Sequence, residues 1–255
     1  MIAFLSPAKT LDFESDLEIG EVTKPEFLEE SSKINARLKK LSRKKLMQLQ
    51  SISSQLAALN FDRNQQWNIE HTGNVRQAVL SFKGDVYQGL QADVWTENDM
   101  KFASSHLRLL SGLYGVLRPS DAIMPYRLEM GTSLKVGRRD DLYSFWADKL
   151  KAYFEENIPS ETLVVNLASN EYFKAVQKAK VKNPVLEVEF KDFSRGKFKV
   201  ISFFAKKARG SMANYMVQNR IEEKEELKAF DAEGYYFDDK SSTDSKYVFL
   251  RDNNQ

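Results

Sequence analysis

Short strand-like runs set among long helical stretches restrict this chain most. IAFLS (2–6) is apolar and brief, and Pro7 turns it into a loop. TLVVNLAS (162–169) is rich in β-branched residues, and Ser169 stands where an N-cap belongs. PVLEVEF (184–190) alternates with period two and is separated by DFSRG from KFKVISFFA (197–205), which reads as an antiparallel hairpin. GYYFDD and KYVFLR read as a last hairpin around a polar turn. Helical periodicity lies between these runs, over 25–40, 43–50, 53–60, 74–82, 97–110, 141–156, 170–178, the segment ARGSMANYMVQNR and an acidic stretch 222–229. Thr96 and Asp99 form a capping box, and Gly112 stops the helix it opens. The Gly- and Pro-punctuated stretch 111–131 reads as an ordered loop with little regular structure. Strands interspersed with helices, one pair antiparallel, predict a mixed α/β (α+β) fold: a mixed sheet with flanking helices. Neither an internal repeat nor a linker-like composition shift divides the chain, so 1–255 reads as a single compact domain.

Composition removes whole classes of chemistry. With no cysteine, disulfides, thiol nucleophiles and thiolate metal sites are excluded. His71 and His106 are the only histidines, so neither a metal site nor a bound cofactor is expected. The carboxylate runs Glu222, Glu223, Glu225, Glu226 and Asp238, Asp239 would hold hard cations only weakly. No apolar run approaches the roughly 20 residues of a membrane span, and MIAFLSPAKTLDF lacks the form of a secretory signal. A cytoplasmic location without membrane contact is expected.

Net charge is only +2, yet it is segregated. Residues 12–30 hold eight acids against Lys24, and residues 31–61 hold seven bases and no acid. The second stretch is either an anion-binding surface or a solvated helix face. Within it, LMQLQSISSQLAALN (46–60) fits a helix-hairpin-helix pattern inside 43–60, with Ser51-Ile52-Ser53 at the hairpin and Ala57 at the small position. Such a hairpin brings backbone close to a phosphate and turns the N–H groups of the second helix toward it. Ser51 and Ser53 stand where glycines are usual, and serine tolerates positive φ poorly. A plain αα-hairpin packing its leucines on the core meets the same pattern. Arg43, Lys44 and Lys45, beside the hairpin, supply an electrostatic footprint for nucleic acid.

Other candidates are scattered. Lys206, Lys207 and Arg209 precede Gly210 in a second basic cluster, either an anion site or a solvated turn. Lys9, with Ser6 and Thr10, resembles a small anion nest without Walker spacing. Tyr126, Arg127 and Glu129 lie in the Gly/Pro-rich loop, where Arg and Glu form a substrate clamp or a structural ion pair. Asn166, Ser169 and Glu171 gather where a strand gives way to a helix.

The segments SPAKTLD, FKGDVYQGL (82–90), LRLLSGLYGVLRPSDAIMPYRLEMG (107–131), DLYSFWAD (141–148), VVNLASNEYFKAV (164–176) and ISFFAKKARGSMANY (201–215) resemble the YaaA peroxide-stress resistance family along essentially the whole chain. That resemblance implies a family-specific mixed α/β fold, a cytoplasmic role in the hydrogen-peroxide response and a link to iron homeostasis through limiting iron-driven damage to DNA. It further implies DNA binding through a positive cleft and a helix-hairpin-helix element. The expected partner is double-stranded DNA, with repair intermediates, bound largely without sequence specificity. By residue type the cleft falls to Lys9, Lys83, Arg118, Tyr126, Arg127, Asn166, Ser169 and Lys174, and the DNA contacts to Arg43, Lys44, Lys45, Ser51, Ser53, Lys206, Lys207 and Arg209. The alternative is an enzyme acting on a nucleobase, nucleotide or damaged DNA, with Lys9, Lys83, Glu129 and Glu171 as its catalytic candidates.

Overall fold

The apolar run near the start of the chain becomes the middle of the sheet. In the computed structural model, which describes residues 1–252, the strands are β1 (Ile2–Leu5), β2 (Thr10–Leu11), β3 (Arg76–Gln77), β4 (Phe82–Lys83), β5 (Leu107–Ser111), β6 (Gly115–Leu117), β7 (Ala122–Ile123), β8 (Val164–Asn166), β9 (Val185–Ser194), β10 (Lys197–Lys199), β11 (Tyr236–Phe237) and β12 (Lys246–Arg251). The helices are α1 (Leu28–Lys39), α2 (Arg43–Gln50), α3 (Ser54–Gln66), α4 (Ala78–Ser81), α5 (Asp85–Leu90), α6 (Glu97–His106), α7 (Leu142–Asn157), α8 (Asn170–Ala179) and α9 (Ser202–Gln218).

Five strands run parallel in the order β5-β1-β8-β9-β12. Antiparallel strands close the sheet, β6 beside β5 and β11 beside β12, and β10 pairs with the end of β9. Counted along the chain, the parallel strands stand second, first, third, fourth, fifth. This is a doubly wound order whose reversal falls between β1 and β8, and in such sheets ligands bind outside the carboxyl ends of the strands at the reversal. Every residue of β1, β5 and β8 is buried, so helices or loops cover both faces there. One apolar cluster runs from Ile2 to Phe249.

The helices follow their sequence stripes. In α1 the buried residues Ser31, Ile34, Asn35 and Leu38 fall at helical spacing. Asp141 opens α7 by accepting a hydrogen bond from Ser144 N at 2.7 Å, and Phe154 of that helix stacks on Phe4 of β1 at 5.4 Å. Burying one such ring stabilises by about 1.5–3 kcal/mol. The closest helix contact is between α5 and α9. A Cβ on Gly210 would lie 1.7 Å from the Val86 carbonyl oxygen, and one on Gly89 would lie 2.1 Å from that of Lys207. The two backbones touch where only glycine leaves room.

Several expectations are corrected. The helix read over 97–110 ends at His106, because Leu107–Ser111 is β5, paired to β1 on one side and β6 on the other. A strand buried on both faces is a continuous apolar run and has no period to set it apart. The strand read over 197–205 stops at Lys199, and α9 starts at Ser202. The core-facing residues of its first half are small (Ala205, Ala208, Gly210, Ser211), and Phe203, which looks strand-like, is 52% exposed. The helix read over 74–82 is the single turn α4 between two short ladders, β3 with β7 and β4 with β2. The stretch 111–131 carries β6 and β7, and 224–229 is a 3₁₀ rather than an α-helix. Ser169 takes the N-cap position of α8, but its hydroxyl pairs with that of Ser6 instead of capping the helix.

Candidate functional site

The chain leaves β1 at Ser6 and leaves β8 at Leu167, the two sides of the strand-order reversal. There Ser169 N donates to Ser6 Oγ at 2.9 Å, and the Tyr87 hydroxyl donates to the Ser6 carbonyl at 3.1 Å. These bonds shape a cavity of about 420 Å³ lined by residues 6–10, 83–86, Leu167, Ser169, Glu171, Tyr172, Lys206 and Arg209. The contact of α5 with α9 sets Lys206 and Arg209 opposite the Lys83–Val86 wall. Four cations line the cavity (Lys9, Lys83, Lys206, Arg209) against two carboxylates, Asp85 and Glu171.

Each charge has a local setting. Lys9 Nζ lies 2.8 Å from Glu129 Oε2, and Glu129 Oε1 accepts from Arg127 at 3.3 Å. Asp12, a local acid near Lys9, pairs with Arg76 instead. The side chain of Lys9 is 62% exposed, and an ion pair so open contributes about 0–1 kcal/mol, so Lys9 exchanges partners readily. Lys206 is only loosely held, 4.0 Å from Asp85. Glu171 Oε1 accepts from Gly131 N at 2.9 Å and pins the 127–131 loop against the start of α8. Burial pushes the Arg209 guanidinium down from its ordinary value, and Glu187 and Glu189 oppose that shift. It stays a cation, and its Nε is buried without a hydrogen-bond partner among the described residues. Beneath the cavity, burial first and then the neighbouring Tyr126 raise the hydroxyls of Tyr87 and Tyr172 well above the ordinary tyrosine value. Tyr126 is raised by burial despite its bond to Ser111, so all three stay neutral.

Not every expected cleft residue converges here. Asn166 and Lys174 line a second hollow of about 750 Å³ along α8 with Lys178, Lys180 and Glu187. Asn166 donates to Glu187 at 2.7 Å, and Lys174 sits 4.8 Å over the Tyr143 ring. Tyr126 is buried, bonded to Ser111 at 2.7 Å. Arg118 is elsewhere, paired with Asp121 at 3.1 Å and donating to the Lys24 carbonyl. Lys207 turns away to Glu233 at 3.4 Å. Sequence reading passed over Lys178 and Lys180 because bases at a helix C-terminus are ordinary there. It passed over Asp85 and Tyr172 because no spacing ties them to β1.

The pair α2–α3 stands beside this site, since Gln50 Nε2 donates to the Arg127 carbonyl at 2.7 Å. Ser51 is left-handed (φ 49°, ψ 50°), the conformation the pattern requires of a glycine. Ser53 Oγ caps α3 by accepting from Leu56 N at 3.3 Å. Arg43, Lys44 and Lys45 are exposed, Arg43 lying 3.3 Å from Asp62. Leu46 is buried, whereas Leu56 and Leu59 are 37% and 45% exposed, so the leucine pattern is only partly spent on the core.

A family profile described as "Peroxide stress protein YaaA" matches residues 1–241. The chain belongs to the YaaA peroxide-stress family. A relative in Marinomonas sp. (strain MWYL1), UPF0246 protein Mmwyl1_3597, is 50% identical over 248 residues, 97% of this chain and 95% of the relative. The YaaA match thus spans both sides of the switch-point cavity and the α2–α3 pair. Among the described residues of this YaaA-family chain, no helix is long and apolar enough to cross a membrane.

Proposed function

We propose that this peroxide-stress protein binds DNA by its sugar–phosphate backbone, largely without sequence specificity, and so shields it from iron-driven oxidation. One observation carries the reading. The switch-point cavity gathers four cations against two carboxylates, from segments as distant as Lys9 and Arg209, and a second hollow running along α8 adds Lys174, Lys178 and Lys180 against Glu187. A basic trough of this kind follows phosphates without reading bases. The α2–α3 turn, with exposed Arg43, Lys44 and Lys45, adds a second backbone contact beside it. The enzyme reading uses the same cavity, but Glu171 is already held there by Gly131 N, which favours binding over proton transfer.

The test is duplex binding by the variant Lys174→Ala/Lys178→Ala/Lys206→Ala, followed by fluorescence anisotropy on several unrelated sequences. Loss of three phosphate contacts flattens the log–log salt dependence by about 2.7 and weakens every sequence alike. Unchanged affinity at low salt would remove the trough from the interface.

A further inference from the structure

The charges of the switch-point cavity fit a more particular ligand than a passing phosphodiester. We propose that this cavity is a binding site for a phosphate monoester, the terminal phosphate of a 5′-mononucleotide or of a phosphorylated strand end. The inference rests on the carboxyl-edge reading above and gives the cavity its own ligand.

Charge is the first argument. Lys9, Lys83, Lys206 and Arg209 against Asp85 and Glu171 leave the lining at a formal +2. An internal phosphodiester carries −1, whereas a monoester carries about −1.5 to −2 at pH 7. Hydrogen bonding is the second. Arg209 presents a planar fork, and its Nε is buried with no partner among the described residues. Its neighbouring carboxylates, Glu187 and Glu189, act on it at long range without a hydrogen bond, because Glu187 is taken by Asn166 and Glu189 by Lys191 and Lys246. The first turn of the ten-residue α8 opens on the same space. Ser169 Oγ accepts from the Ser6 hydroxyl and makes no capping bond, so the first N–H groups of the helix have no side-chain cap. Lys9 and Lys206 are held only by exposed or long ion pairs and can turn to an incoming dianion.

Size is the third argument. About 420 Å³ lies in the range of small-ligand sites and exceeds what a bare phosphate needs. Pro7, Ala8, Val86 and Leu167 supply apolar wall for the group that the phosphate carries. The phenols below remain neutral, so no anion opposes the ligand from the floor.

The test is calorimetric titration of the full chain with 5′-AMP, adenosine and inorganic phosphate, beside anisotropy on one blunt duplex bearing either 5′-phosphate or 5′-hydroxyl ends. 5′-AMP is expected to bind at least tenfold tighter than adenosine, and phosphate to compete with it. Arg209→Met and the exposed-site variant Lys83→Met are each expected to weaken 5′-AMP about tenfold or more. Lys83→Met keeps the test decisive if the buried variant fails to fold. If strand ends are the source, the phosphorylated duplex binds more tightly and 5′-AMP removes that advantage. If a free nucleotide is the source, 5′-AMP binds and the duplexes do not differ. Equal binding of 5′-AMP and adenosine overturns the proposal, as does no binding of 5′-AMP together with no preference between duplex ends. Strong duplex binding in that last case would leave the trough reading standing. Binding of 5′-AMP without any duplex affinity would do the reverse.

Discussion

Gly210→Ala tests how the cavity wall is set. In a solvated helix this change stabilises by about 1 kcal/mol, because alanine is the better helix former. Here the new methyl carbon would lie 1.7 Å from the Val86 carbonyl oxygen and 2.8 Å from Leu90 N. Both neighbours are backbone of α5, so no side chain can swing aside. To reach even about 3 Å, α5 must back away from α9 by more than 1 Å. Leu90 is fully buried, so that shift opens the core on its far side. Overpacking costs about 1–3 kcal/mol, more where the fit is rigid, and it outweighs the propensity gain. A net loss of about 2 kcal/mol lowers the melting temperature by about 4–8 °C for a chain of this size. Differential scanning calorimetry reads it directly. A melting temperature that stays level or rises by a few degrees would show that α5 and α9 do not meet backbone to backbone, and the placement of Lys206 and Arg209 opposite Lys83 would fall with it.

Ser51→Gly removes the cost of holding serine at φ 49°, about 1 kcal/mol, less the added freedom of the unfolded chain. A thermal melt should rise by about 1–3 °C, and a fall would mean that the Ser51 side chain does more than occupy the turn. Burial pushes the Asp99 carboxyl up, but the N–H and hydroxyl of Thr96 and the Arg220 guanidinium prevail and bring it down from 3.8 to about 2. Its folded value lies below its unfolded one, so its contribution is complete above about pH 4 and disappears as pH falls toward 2. Urea unfolding of Asp99→Asn should show a shallower loss of stability over that window than the parent, and parallel curves would count against the Arg220 pair.

What could be read from the residues follows from how locally each feature is encoded. The capping box at Thr96 and Asp99 and the stripe of α7 are local patterns, and both are found in the structure. Leu107–Ser111 is different. Its strand character comes from β1 and β6, more than 100 residues before it and just after it, while its own five buried residues suit a helix equally. The start of α9 misleads because Phe203 faces outward and the contact with α5 is made at Gly210 and Gly89, which give no apolar signal. Lys9, Lys83, Lys206 and Arg209 were each visible as basic residues in idiosyncratic segments. That they share one cavity depends on the strand order β5-β1-β8, which no spacing along the chain displays. Arg118 looked equally suitable by residue type but is claimed by Asp121 three positions away.

The position of β1 also bears on how the molecule is made. This strand leaves the ribosome before any of its partners, yet it is flanked by residues 107–109 and 164–166. At about 5–20 residues per second, roughly 8–30 s of synthesis pass before the second flank exists. For that time four apolar residues wait unpaired on the nascent polypeptide, too few to seed a stable aggregate by themselves. Brevity at the centre of the sheet is what lets the chain postpone its commitment to a topology until most of it has been translated.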